Sequence, residues 1–249
     1  MIEFVRQVIV RVAVVTLLTT LVFAQDREKQ LERVQGAGEV LGEIMSAPDR
    51  GIPEEIFGGA KCVAIVPSML KGGFIFGAEY GHGVASCRTE KGWSAPAFFG
   101  VKGGSFGLQI GGQAVDLVML IMNEHGMRHL LSSKFQLGAD ASVAAGPVGR
   151  HAEAATDWKM RAQVLTYSRA RGIFAGLSLK GVWVQQDKKD TRAFYGRMVP
   201  FRTLLTGALP PPADAQPFLA MLNKYGPLAK KGPTSTAEKT KPDAAGENK

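Results

Sequence analysis

Glycine is concentrated between Gly58 and Gly112, where 14 of 55 residues are glycine. The same region is divided into short stretches rich in valine, isoleucine, phenylalanine and alanine, a composition typical of β-strands. Glycine inside a strand lowers stability and usually marks a bulge, a sharp bend or the close approach of two backbones. We therefore predict a strongly curved, mainly antiparallel β-sheet or barrel-like core.

Periodic apolar patterns predict the elements around this sheet. Residues 26–47 repeat apolar side chains at three- and four-residue steps, which predicts an N-terminal helix. Residues 115–122 are almost continuously apolar, as in a central strand buried on both faces. Residues 137–145 alternate and predict a half-buried strand, followed by a β-turn at 146–149. With short peripheral helices, including one at 123–133, the predicted fold class is α+β.

The two ends of the chain differ in composition from its centre. Residues 1–24 combine a basic start, a short apolar run and a small-residue exit, which is typical of a secretory signal peptide. Residues 229–249 are rich in lysine, proline, serine, threonine and glutamate, and this composition predicts a disordered tail. We expect a cut after Ala24, one domain over 25–228, and a periplasmic or secreted location.

The chain is basic, with a formal net charge of +8. This charge is compatible with an anionic membrane surface or another acidic partner. No basic stripe interleaved with aromatic residues is present, so a nucleic-acid partner is not expected.

Cys62 and Cys87 are the only cysteines. Two alternatives are open for them, namely one disulfide, which an oxidising compartment allows, or two buried free thiols. Both lie in strand-like stretches, and we expect a further strand between them. The sequence contains no CxxC spacing, so neither a structural zinc site nor a redox motif is expected.

Candidate catalytic and metal-binding motifs are incomplete. Ser105 is the central residue of a G-x-S-x-G pattern, but a strand is expected after it where the nucleophile elbow needs a helix. His125 and His129 have the spacing of two metal ligands on one helix face, without the HExxH arrangement. We therefore predict a non-enzymatic protein with no cofactor and no metal site.

The stretch "PSMLKGG", residues 67–73, predicts a loop tip between two strands. Met69 and Leu70 at such a tip suit shallow insertion into a membrane interface, where the ammonium of Lys71 reaches the headgroups. The alternative is that Met69 and Leu70 fold back over the core. Further candidate headgroup contacts are basic residues near predicted turns, namely Arg150, Arg169, Arg171 and Lys180.

Several stretches together resemble the SYLF domain family over about residues 35 to 206. They are "VAIVPSMLKGGFIFGAEYGHGV", "WSAPAFF", "GLQIGGQ", "LGADASVAAGPVGR", "YSRARGIFAG" and "FYG". The resemblance implies phospholipid binding, with actin association in eukaryotic members, and bacterial members are often short secreted proteins. A secreted bacterial protein would meet no actin in its own envelope. The charges of helix 26–47 are balanced, which favours a broad preference for anionic phospholipid over a phosphoinositide preference.

The function that these observations predict is a non-enzymatic phospholipid-binding or membrane-surface-binding module of the cell envelope or exterior. Three alternatives stay open. The first is a carrier that encloses an acyl chain within the curved sheet. The second is an envelope scaffold that self-associates through apolar strand edges, and the third is a serine hydrolase that uses Ser105.

Overall fold

The fold is described from a computed structural model. It covers residues 25–47, 51–73, 76–106, 111–147, 162–170, 173–175 and 179–226. The predicted signal peptide and the whole of the predicted tail, residues 229–249, lie outside these residues, as do Arg150 and Arg171.

The described residues contain ten strands. They are β1 (Cys62–Gly73), β2 (Phe76–Thr89), β3 (Gly92–Trp93), β4 (Ala97–Phe106), β5 (Gly111–Ile121), β6 (Lys134–Gln136), β7 (Val143–Ala145), β8 (Val164–Ala170), β9 (Ile173–Ala175) and β10 (Trp183–Gln186). The main path is β6-β10-β4-β2-β1-β5-β8-β7, while β3 pairs with β2 and β9 pairs with β8. All pairs are antiparallel except β7 with β8. The strongly curved, mainly antiparallel sheet predicted from the glycine content is confirmed as a curled half-barrel.

An N-terminal helix and several short helices surround the sheet, as the α+β prediction requires. They are α1 (residues 25–45), α2 (Glu54–Gly59), α3 (Glu124–Leu131), α4 (Lys188–Tyr195), α5 (Phe201–Leu205) and α6 (Gln216–Tyr225), with a 3₁₀ turn at Ala213–Ala215. No helix in the described ranges is both long enough and apolar enough to cross a bilayer.

Both faces of the sheet carry a hydrophobic core. One face, here called the α1 face, packs Ile65, Val84 and Phe98 with apolar residues of α1, α2 and α6. The opposite face, here called the α5 face, packs Val66, Phe99 and other strand residues with α3 and α5. Because β5 lies between β1 and β8 and is buried on both faces, the central strand predicted at 115–122 is confirmed.

A one-residue bulge interrupts β1 where the sequence predicted a loop tip. Ile65 pairs with Val84 and Leu70 with Tyr80, so β1 uses one more residue than β2 between these pairs. Ser68, with φ of 50°, is part of the extra turn of backbone, and its N–H donates to Asp116 Oδ1 at 3.0 Å. The loop-tip prediction for 67–73 is therefore wrong, because the strand continues through the bulge to Gly73.

Strand β2 is one long strand that runs through Gly81 and Gly83 without a break. The further strand that the sequence predicts between the two cysteines is therefore wrong, because this segment belongs to β2 itself. Cys87 therefore lies directly opposite Cys62 with no further strand between them. The two cysteines form a disulfide, which selects one of the two alternatives.

Residues 137–145 form less strand than their alternation predicted. Only Val143–Ala145 is a strand, and Leu137 makes an isolated bridge to Ala141. Gly138 has a φ of 85°, and the Asp140 carboxylate accepts the backbone N–H of Gln136 at 2.6 Å. This local turn replaces the first half of the predicted strand, because the aspartate offers the backbone a hydrogen bond that competes with the sheet.

Candidate binding surface

Four directly opposite residues form a row across four neighbouring strands on the α1 face. Leu70 pairs with Tyr80, Tyr80 with Lys102, and Lys102 with Trp183. We call these four residues the exposed row. Leu70, Tyr80 and Trp183 are 59%, 43% and 41% exposed, and they are the large apolar side chains that the described residues leave most open to solvent. With strands about 4.8 Å apart, the row is about 14 Å long.

The exposed row exists because the bulge in β1 changes which side chain points to which face. Met69 points to the α5 face and is fully buried in the core there. Leu70 consequently shares the α1 face with Ile65, although five positions separate them. The next cross-strand row carries no large side chain and consists of Gly112, Gly72, Ala78 and Gly104. The exposed row therefore stands above a flat end of the sheet.

Lysines lie beside the aromatic members of the row. Lys102 Nζ is 5.7 Å from the centre of the Tyr80 ring, and Lys134 Nζ is 4.8 Å from the centre of the Trp183 ring. These distances are within the range of cation–π contacts. The surface consequently presents positive charge and apolar area together.

A pocket of about 360 Å³ opens between the exposed row and the start of α4. We call it the Tyr80 pocket. Its lining includes Tyr80, His82, Lys102, Trp183, Asp187 and Lys188. Gly100 also lines the pocket, and its lack of a side chain leaves space opposite His82, its partner in the sheet.

A polar cluster under the Tyr80 pocket joins the sheet to α1. His82 Nδ1 lies 2.9 Å from Asp187 Oδ2 and 3.3 Å from Asp190 Oδ2. From α1, Gln30 Nε2 donates to Asp190 Oδ1 at 3.1 Å and the Arg33 guanidinium donates to Asp190 Oδ2. We call these five residues the His82 cluster. Their contacts attach α1 to α4 and to β2.

Charge and hydrogen bonding fix the protonation states in the His82 cluster. The hydrogen bond to Asp187, supported by the contact with Asp190, raises the pKa of His82 from 6.5 to about 10. Burial opposes ionisation of Asp187, but the hydrogen bonds from His82 and from the backbone N–H of Asp190 outweigh it and lower the pKa of Asp187. At neutral pH the cluster therefore contains an imidazolium between two carboxylates.

His82, Asp187 and Asp190 are metal-ligating residue types, and their ligand atoms lie within 4.8 Å of one another. However, Arg33 and His82 both approach Asp190 Oδ2, and Gln30 donates to Asp190 Oδ1. Groups of the protein itself, two of them positively charged, therefore already contact both oxygens of this carboxylate. We therefore assign the cluster to holding α1 on the sheet.

The protonation of His82 predicts a stability difference that depends on pH. Because the folded-state pKa is raised, the stabilisation is complete below about pH 6.5 and is lost as the pH rises through about 10. We expect His82→Gln to lower the free energy of unfolding by about 1 to 2 kcal/mol near neutral pH. The difference from the parent should shrink steadily towards pH 10 in chemical denaturation. His125→Gln, which alters an exposed histidine on α3, should show no such trend; a constant difference for His82→Gln would contradict the assigned imidazolium.

The structure corrects the placement of two residues from the predicted loop tip. Met69 is fully buried, so it is not positioned for membrane insertion. Lys71 points to the α5 face, where its Nζ lies 3.3 Å from Glu79 Oε1, and the two side chains are only 12% and 2% exposed. Leu70 is exposed. The alternative that Met69 and Leu70 fold back over the core is therefore correct for Met69 and wrong for Leu70.

The remaining basic candidates have different surroundings. Arg169 forms ion pairs with Asp116 and with Glu43 of α1, so its positive charge is paired with carboxylates of the protein itself. Lys180 is exposed in the turn before β10.

The other sequence candidates lie away from the exposed row or lack their motif's geometry. Ser105 lies within β4 opposite Gly77, so the strand–turn–helix of a nucleophile elbow is not formed at this serine. His125 and His129 face each other on α3 with ring centres 4.8 Å apart. Tyr80, Lys102 and Trp183 were not predicted as site residues. The local signal for Trp183 is the alternation at 183–186, where this aromatic residue is exposed and the following valine is buried.

Comparison with known proteins identifies the family. A family model described as "Ysc84: Las17-binding protein actin regulator" matches residues 102–225. SH3 domain-containing YSC84-like protein 1 of Homo sapiens is 34% identical over 182 residues, which is 72% of this chain and 53% of that protein. Protein YSC84 of Saccharomyces cerevisiae is 34% identical over 178 residues, 70% of this chain and 38% of that protein.

LAS seventeen-binding protein 3 of Saccharomyces cerevisiae is 33% identical over 178 residues, 70% of this chain and 39% of that protein. This chain thus spans about half the length, or less, of these relatives. Their descriptions name binding and regulation rather than an enzymatic reaction. The order of the sequence motifs, the curled sheet and these matches agree, and the chain belongs to the Ysc84 (SYLF) domain family.

Proposed function

We propose that this protein binds anionic phospholipid surfaces without enzymatic activity, and that the exposed row is the contact surface. The observation that carries the proposal is that Leu70, Tyr80 and Trp183 belong to one row on one face. Single exposed apolar residues scattered over a surface are ordinary, whereas a contiguous group marks an interaction site.

The residue types of the exposed row suit the boundary between lipid headgroups and acyl chains. Tyrosine and tryptophan have an apolar body with a polar tip, and Leu70 adds a purely apolar contact. Lys102 and Lys134 lie over the two aromatic rings. Each lysine near an anionic leaflet contributes about 1 kcal/mol, so two lysines contribute about 2 kcal/mol of the adsorption free energy.

This mechanism replaces part of the sequence-based one. Lys71 and Arg169 form ion pairs within the fold, so the attraction is assigned to Lys102, Lys134 and Lys188. Leu70 keeps its predicted role, and Tyr80 and Trp183 take over the role given to Met69.

Co-sedimentation with vesicles tests the proposal. The full chain should pellet with phosphatidylcholine vesicles that contain phosphatidylglycerol, and should pellet weakly with phosphatidylcholine alone. The double variant Lys102→Gln/Lys134→Gln should reduce the partition coefficient about 30-fold, the equivalent of about 2 kcal/mol. Leu70→Ser/Trp183→Ser should weaken binding to both vesicle types, since it removes apolar contact rather than charge.

The control is Lys91→Gln/Lys224→Gln, which removes the same charge from exposed positions in the β2–β3 turn and on α6. Binding of this control should stay within about twofold of the parent, because neither lysine is near the exposed row. Equal losses in the control and in Lys102→Gln/Lys134→Gln would show attraction by net charge alone and overturn the assigned surface.

We also propose that the protein works in the cell envelope or outside the cell. The Cys62–Cys87 disulfide supports this location, because disulfides persist in oxidising compartments and are rare in a reducing cytoplasm. Fractionation of the source cells, followed by immunodetection of the chain, tests it directly.

A second candidate function is binding to an actin regulator, which the description of the family and the names of the yeast relatives favour. Tyrosine and tryptophan dominate many protein interfaces, so Tyr80 and Trp183 suit such a partner as well. Co-sedimentation with purified actin filaments and binding to purified Las17 distinguish this candidate from lipid binding. Loss of either interaction in Leu70→Ser/Trp183→Ser would assign it to the exposed row.

A further inference from the structure

The Tyr80 pocket combines positive charge with an oriented hydroxyl group. Tyr80 Oη lies 2.5 Å from His82 Nε2, and His82 Nδ1 contacts Asp187 and Asp190. An imidazolium donates from both nitrogens, so the Tyr80 oxygen accepts from Nε2–H. The phenolic proton of Tyr80 is then free of His82 and available to a ligand in the pocket.

The charges around the pocket do not cancel. The cationic groups of the pocket and of the His82 cluster are Arg33, His82, Lys102 and Lys188. Asp187 and Asp190 are the carboxylates that face them. Four positive groups against two negative groups leave an excess of two positive charges, and the two lysines that line the pocket carry it.

A phosphate monoester matches this arrangement in charge and in hydrogen bonding. Above its second pKa of about 6, it is a dianion with three strong acceptor oxygens. A phosphate diester carries one charge and has two of its oxygens substituted. Two ammonium groups and one phenolic O–H therefore match a monoester better than a diester.

We propose that the Tyr80 pocket binds a phosphate monoester dianion, with Lys102 and Lys188 as its cationic contacts and the Tyr80 hydroxyl as its neutral donor. His82 is a positioning residue that directs the Tyr80 proton into the pocket. On a membrane the ligand is a lipid whose headgroup ends in a monoester, and in this form the inference rests on the proposed function. In solution the ligand is a small phosphate ester, which needs no membrane.

The first arm of the test uses soluble probes at about pH 8, where the monoester is a dianion and His82 is protonated. Isothermal titration calorimetry of the full chain should give at least about tenfold tighter binding for glycerol 3-phosphate than for dimethyl phosphate, since one additional charge is paired. Tyr80→Phe keeps the ring and removes the hydroxyl, and it should weaken glycerol 3-phosphate binding about tenfold with little effect on dimethyl phosphate.

Lys102→Gln should weaken binding of the monoester about tenfold or more, whereas Lys91→Gln should change it by less than about twofold. Lys91 follows β2 at the opposite end from Tyr80 and is exposed, so the two variants lose the same charge at different places. Circular dichroism of each variant verifies that the fold is retained. Equal affinity for the two soluble probes, or equal losses in Lys102→Gln and Lys91→Gln, would overturn the proposal.

The second arm compares vesicles that contain phosphatidate with vesicles that contain phosphatidylglycerol at equal surface charge. Tighter binding to phosphatidate that disappears in Tyr80→Phe supports the lipid source of the monoester. Binding of glycerol 3-phosphate without adsorption to either vesicle supports the soluble source and contradicts the membrane function. Adsorption to vesicles without binding of glycerol 3-phosphate and without a preference for phosphatidate overturns the pocket and leaves the membrane function standing.

Discussion

Gly83→Ala should be among the most destabilising single substitutions in the sheet. A Cβ at this position would lie 2.3 Å from the carbonyl oxygen of Ile65 and 2.7 Å from Phe99 Cζ. The first contact is with backbone in the neighbouring strand, so no change of rotamer relieves it. We expect a loss of about 3 kcal/mol in the free energy of unfolding, and a lower melting temperature by about 10 °C. Thermal and urea denaturation of the full chain measure both quantities.

Gly104→Ala is the matched control for Gly83→Ala. Gly104 also lies within a strand, but its Cβ would meet nothing closer than the Gly77 carbonyl oxygen at 3.7 Å. We expect this variant to be within about 0.5 kcal/mol of the parent or slightly more stable, because alanine loses less backbone entropy than glycine on folding. Equal losses in the free energy of unfolding for the two variants would contradict the close approach of β1 and β2 at Gly83.

The contrast between these glycines explains how far composition could predict the sheet. Glycine density correctly indicated bends and close backbones, and the pattern of apolar residues correctly indicated β5 and α1. Both signals are local, since they depend on residues adjacent in sequence or one helical turn apart. Composition could not show that Gly83 is required at its position while Gly104 has room for a Cβ.

The bulge in β1, where the sequence predicted a loop tip, depends on a distant partner. Pro67 lacks an N–H and suggested the end of a strand, but Asp116, 48 residues after Ser68, accepts the Ser68 N–H and stabilises a bulge. The one-residue shift at this bulge exchanges the faces of Met69 and Leu70. Helix α4 is different, because Asp187 is a recognisable N-cap that accepts from Lys189 and Asp190, so the sequence contained a signal for it.

The exposed row could not be predicted from the sequence, because it too depends on residues that are distant in the chain. The exposed row requires the register of β1, β2, β4 and β10, and its members are spread from Leu70 to Trp183. The His82 cluster likewise joins Arg33 to Asp190 across 157 positions. No pattern in the sequence distinguishes a solvent-exposed lysine such as Lys102 from a lysine in an ion pair such as Lys71.

Removal of the disulfide should produce the second large effect. Cys62 and Cys87 are 25 positions apart, and both are fully buried in the core of the α5 face. A crosslink that closes a loop of this length reduces the entropy of the unfolded chain and stabilises the fold by about 3 kcal/mol. We expect Cys62→Ala/Cys87→Ala to lose about this amount in urea denaturation, and we expect dithiothreitol to bring the parent close to the variant.

The same experiment contains its own control, because reductant should leave the double variant unchanged. A parent protein whose stability is unaffected by reductant, although thiol titration shows the bond reduced, would contradict the stabilising role. Vesicle binding by the double variant should persist under conditions in which the variant remains folded, since the exposed row lies beyond the bulge on the opposite face from the disulfide.

The disulfide also joins residues that are directly opposite in β1 and β2, so it opposes the one-residue slip that would reverse both faces of this hairpin. Removal of the disulfide should therefore increase the hydrogen-exchange rate of the amides paired between β1 and β2 more than that of the amides paired between β5 and β8.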